Sequence, residues 1–170
     1  MEHIRLQIGC MLVLFYVIFS YIEGHSRCRQ KHKFSIYSGL MVVAVITVLF
    51  DGITAYMVNN LDTVNETANR ICHLVFLLGI DTFIFMLFLY MYSVTTDAEG
   101  RKRGRWSYLP FAVNVGVVVA FIPELEYREG ELSNYSMGIS AYTCFIMAGF
   151  YLVLTLILFF RRWKYIEGHK

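Results

Sequence analysis

Five long apolar runs crowd into 170 residues, and they decide what this chain can fold into. They cover about residues 6–22, 35–58, 71–94, 107–122 and 138–160. A hydrocarbon core about 30 Å thick takes roughly 20 residues of helix at about 1.5 Å per residue. Each run reaches that length or comes near it. Lipid offers no partner to unpaired N–H and C=O groups, so a spanning run must be helical. Composition agrees: 57% of the residues are hydrophobic and only 16% charged, where a soluble domain carries about 25% charge. A net charge of +2 is too small for a nucleic-acid binder that works by neutralising phosphates. The expected fold class is an all-α integral membrane bundle of five helices, one transmembrane domain over residues 1–170. The loops leave little chain for a soluble catalytic domain.

Orientation follows from the basic residues. Arg27, Arg29, Lys31 and Lys33 follow the first run; Arg101, Lys102, Arg103 and Arg105 follow the third; Arg161, Arg162, Lys164 and Lys170 follow the fifth. The opposite side holds only Arg5, Arg70 and Arg128, and its last loop is acidic, with Glu124, Glu126, Glu129 and Glu131. An outside N-terminus and an inside C-terminus result. The first run lacks a small-x-small cleavage site, so it reads as a retained span rather than a signal peptide. Tyr21-Ile22-Glu23-Gly24-His25 recurs as Tyr165-Ile166-Glu167-Gly168-His169. Either two helix exits share the same chemistry by chance, or the end of the chain repeats its first connection and a further span follows in a longer parent.

Motifs of soluble enzymes are missing: no phosphate-cradling glycine loop, no nucleophile elbow, no HExxH pair. The four cysteines are scattered and suggest no disulfide framework. Cys28 with His32, and Cys72 beside His73, lack the two further ligands a zinc site needs. No catalytic residue, cofactor or metal is therefore expected. Asn59, Asn60 and Asp62 should end the second helix. His73 reads as an interfacial residue that could sense pH. Two glycosylation sequons, at Asn65 and Asn134, match patterns common by chance.

The informative residues are polar ones inside the runs, where ionisable groups are costly and face the bundle interior. Asp51 lies eight residues before Asn59, Asp81 nine after Cys72, and Asn114 nine before Pro123. Counted this way, all three sit about 12–14 Å below the outer surface, which suggests one cluster. Thr47 and Thr54 share a helix face with Asp51. Two readings stand open. In one, the cluster of Asp51, Asp81, Asn114 and Thr54 ties helices together through local hydrogen bonds. In the other, it floors a pocket that receives a small ligand or a proton from the outer side.

The stretch Phe50-Asp51-Gly52-Ile53-Thr54-Ala55-Tyr56, the run Val58 to Val64, and His73 to Leu78 with Asp81-Thr82, Phe85 and Leu89 to Ser93 carry a resemblance. Over about residues 48–95 the chain resembles the N-terminal membrane regions of bacterial signalling proteins, many of them diguanylate cyclases with a C-terminal GGDEF domain. Similar regions precede cyclic-di-GMP phosphodiesterase and histidine kinase modules. The resemblance implies a sensory input domain in the bacterial plasma membrane. It would pass a packing change to a cytoplasmic output, with the fifth helix as the output helix. No GGDEF, EAL, HD-type or kinase sequence is present in the chain itself. The expected partners are the lipid bilayer, a small ligand or proton, and a second copy through the membrane helices. The alternative is a small transporter or channel subunit acting as an oligomer. A membrane enzyme using Asp51 and Asp81 as an acid/base pair ranks last, since no His, Lys or nucleophile joins them.

Overall fold

The computed structural model describes residues 5–25, 31–95, 104–130 and 134–167, with side chains for 8–19, 36–95, 106–130 and 134–160. Its helices are α1 (Arg5–His25), α2 (Lys31–Val58), α3 (Glu66–Thr95), α4 (Tyr108–Phe121) and α5 (Ile139–Glu167). Three-residue strands β1 (Glu126–Arg128) and β2 (Tyr135–Met137) form an antiparallel ribbon between α4 and α5, pairing Tyr127 with Ser136. The basic loops and tail that set the expected orientation lie outside the described side chains, as do Cys28, His32 and both copies of the five-residue repeat.

Three helices are long and apolar enough to cross a membrane: Ile36–Val58, Glu66–Thr95 and Ile139–Phe160. The apolar stretches Ile8–Phe19 and Tyr108–Glu124 are shorter. Apolar side chains face outward around the bundle, among them Leu12, Tyr16, Val113, Ile146 and Phe160. A helix that is apolar on every side belongs in a protein core or in lipid.

Five helices stand where the apolar runs were read, but their ends differ. α5 runs on to Glu167 rather than ending at Phe160, and α3 begins at Glu66 rather than at Ile71. Asn65 starts it: its Oδ1 accepts the backbone N–H groups of Thr67 (2.9 Å) and Ala68 (3.3 Å), which have no partner inside the helix. The polar first turn is helical but invisible to hydropathy. At the fourth run, single turns of 3-10 helix, Gly104–Ser107 and Ile122–Glu124, flank a short α4. α2 ends as expected, with the Asn59 and Asn60 side chains donating to the carbonyls of Ala55 (2.7 Å) and Tyr56 (2.8 Å).

α3 is the central helix. It packs against α2, α4 and α5, while α4 also packs against α5 and α1 lies against α2. Close contacts set the registers. Tyr37 meets Tyr90, Gly39 lies against Met86 and Gly79 against Thr47 between α2 and α3. Phe85 stacks on Phe111, rings 4.4 Å apart, between α3 and α4. Two apolar clusters result. One, near the ribbon, holds Leu77, Val118, Leu125, Ala141 and Cys144. The other is aromatic, with Phe85, Phe88 and Tyr151, and the Tyr151 hydroxyl donates to the Ser107 carbonyl.

The ribbon is fastened to α2. The Asn134 backbone N–H donates to Asn59 Oδ1 and its side chain to the Val58 carbonyl, both at 3.1 Å. Gly138, between β2 and α5, has φ of +152°, and a Cβ there would stand 3.3 Å from the Glu124 carbonyl oxygen. Only glycine takes that conformation without strain.

Candidate functional site

The buried face of α3 carries Asn69, His73, Leu77, Asp81, Phe85, Phe88 and Thr95. The first five recur every four residues, which keeps them on one stripe of a helix with about 3.6 residues per turn. Four of these seven side chains are polar or ionisable.

Asp81 is 2% exposed and Asn114 4% exposed. Asn114 Nδ2 donates to Asp81 Oδ2 and joins α3 to α4. The Cys144 thiol of α5 borders the same carboxyl and donates to the Leu77 carbonyl at 3.4 Å. Asp81 Oδ1 has no hydrogen-bond partner among the described residues. The carboxyl stands between the two apolar clusters, since Leu77 and Phe85 flank it along α3. A carboxyl there needs partners, because an unpaired buried charge is costly. Oδ1 is where a proton or a further donor would be received.

Asp51 stands apart from this pair. The α2–α3 register places it opposite Val75, six residues toward the ribbon from Asp81, or about 9 Å along the axis. On this register Asp51 and Asp81 lie at different levels along the bundle. The count from the sequence took Cys72 as the start of α3, whereas the helix begins six residues earlier. Thr54 is buried, but its hydroxyl donates to the backbone carbonyl of Asp51 at 3.0 Å. Thr47 likewise donates to the Val43 carbonyl at 2.8 Å. Neither hydroxyl proton is given to the Asp51 carboxylate.

A second polar group sits one to three turns along α3 from its start. His73 is 3% exposed, enclosed by the protein itself. Its Nδ1 pairs with the Asn69 carbonyl at 3.0 Å, and its ring meets the edge of Tyr127, centroids 5.4 Å apart. Cys72 is half-buried. Asn69 and Tyr127 were missed in the sequence, although Asn69 could have been found from the four-residue spacing to His73 and Asp81. Cys144 gave no such signal, because cysteine in an apolar run reads as a small apolar side chain. Among the described residues no group of three or more His, Cys, Asp or Glu could hold a metal ion.

No protein-family model matches the chain, and neither a curated protein nor a solved structure matches it. The likeness of residues 48–95 to the membrane regions of signalling proteins therefore rests on the residues quoted for it.

Proposed function

We propose that this chain is a membrane-embedded input domain of a bacterial signalling protein, crossing the plasma membrane five times and governing a cytoplasmic diguanylate cyclase or kinase module. The observation that carries this reading is the buried Asp81–Asn114 bond, which links α3 to α4 between two apolar clusters. An interhelical polar link in lipid is worth roughly 0.6 kcal/mol on average. A proton or small ligand reaching Asp81 can outweigh a link of that size and bias the helices toward another packing. The ribbon end faces outside in this reading, and α5 carries the change inward. α5 has 29 residues, or about 43 Å, so it can leave the membrane as a continuous helix. α2, α3 and α5 run unbroken, unlike the interrupted helices that many transporters use at mid-depth. Association with a second copy through membrane helices belongs to the same proposal.

The test joins residues 1–170 to a diguanylate cyclase module and measures cyclic-di-GMP in cells. Asp81→Asn and Asn114→Ala should each shift output several-fold, and up to about tenfold where the pair biases the packing by about 1.4 kcal/mol. Output that matches the unsubstituted chain in both variants, at equal protein level in the membrane, overturns the proposal.

A further inference from the structure

Where the ribbon lies over the start of α3, four polar atoms are buried without a hydrogen-bond partner among the described residues: Asn69 Nδ2 and Oδ1, Arg70 Nε and Tyr127 Oη. Asn69 is 1% exposed, so its whole amide is withdrawn from solvent. Buried polar groups in native proteins are almost always satisfied, and an exception calls for an explanation. Two neighbouring donor groups are already used. The His73 Nδ1 hydrogen goes to the Asn69 backbone carbonyl, and Arg70 Nη2 is spent on Glu66 at 2.6 Å. Burial pushes the Tyr127 phenol above its ordinary pKa; Arg70 opposes the rise and Glu66 adds to it. Tyr127 therefore keeps its proton at neutral pH and remains a donor. Three unspent donors, Asn69 Nδ2, Arg70 Nε and Tyr127 Oη, thus lie within the first two turns of α3 and on the strand packed against it, where the dipole of a 30-residue helix favours negative charge.

We propose that Asn69, Arg70 and Tyr127 form a binding site at the ribbon end of α3 for a small solute that carries a carboxylate. The carboxylate takes the hydrogen bonds of Asn69 Nδ2, Arg70 Nε and Tyr127 Oη, as charged acceptors prefer several donors. The His73 ring holds Tyr127 in place through its edge contact. Around the site the exposed carboxylates of Glu66 and Glu126 repel a plain anion and attract an ammonium group. A zwitterionic amino acid therefore binds more tightly than a simple organic acid. The site lies twelve residues from Asp81 along α3, about 18 Å, and its test needs no signalling output.

The purified chain in detergent is titrated with glycine, acetate and glycinamide, and the thermal unfolding midpoint is followed. Glycine should raise the midpoint most, acetate less, and glycinamide, which lacks the carboxylate, should leave it unchanged. Tyr127→Phe removes a hydroxyl that has no protein partner, so without ligand it should fold with unchanged or higher stability. Its glycine affinity should fall about tenfold, the cost of one hydrogen bond to a charged group. Asn69→Ala should abolish the shift, and Asn69→Asp, which brings a like charge, should abolish it too. The proposal is overturned by no shift with either carboxylate, by equal shifts with glycine and glycinamide, or by a glycine shift that survives Tyr127→Phe undiminished.

Discussion

At Asn114 a single amide gives the Asp81 carboxyl its bond to α4. Asn114→Ala leaves Asp81 without its partner from α4. Leaving a buried group unpaired costs about 1–3 kcal/mol. The expected outcome is an unfolding midpoint lowered accordingly in detergent, read by circular dichroism. Asp81→Asn keeps the size and removes the charge, so it should destabilise less. If the two variants unfold alike, the bond carries no special weight. Asp81 and Asn114 were legible in the sequence because a polar residue in an apolar run must find a partner. Their mutual bond was not, since it depends on the register between α3 and α4. Asn65 and Asn134 teach the complementary lesson. Both match a glycosylation pattern, yet Asn65 caps α3 and Asn134 holds the ribbon to α2, so their amides already have structural work.

The helices themselves were visible as long apolar runs. Their starting points were not, because capping is a local hydrogen-bond matter that hydropathy does not register. Glu66 to Arg70 reads as loop and folds as helix. The ribbon was illegible for another reason: strands of three residues are too short to show an alternating pattern. Packing between elements offers a sharper test. A Cβ on Gly79 would stand 2.5 Å from Thr47 Oγ1 and 3.3 Å from Thr47 Cβ. Gly79→Ala should therefore push α2 from α3 and cost about 1–3 kcal/mol, as overpacking does. Thr47→Ala removes the oxygen in the way, so the double variant should be more stable than the sum of the two singles predicts. Strict additivity in this cycle would show that the helices do not meet there.

For the whole molecule the question is which end faces out. The proposed topology puts the α2–α3 loop outside and the start of α4 inside. In a chain freed of its native cysteines, Asp62→Cys should react with a membrane-impermeant maleimide on intact cells. Trp106→Cys, also at an exposed position, should react only after the cells are opened. The reverse pattern would invert the topology and place the Asn69 site on the cytoplasmic side. α3 gives the molecule one further property. Its stripe from Asn69 to Phe85 meets the ribbon at one end and the aromatic cluster at the other. One residue inserted between them would turn the remainder of the helix by about 100°, and Asp81 would leave Asn114. α3 is thus fixed in length as strictly as in composition, whereas the peripheral α1 has few contacts to misalign. Across related chains, gaps and insertions should gather in α1 and the loops and leave α3 untouched.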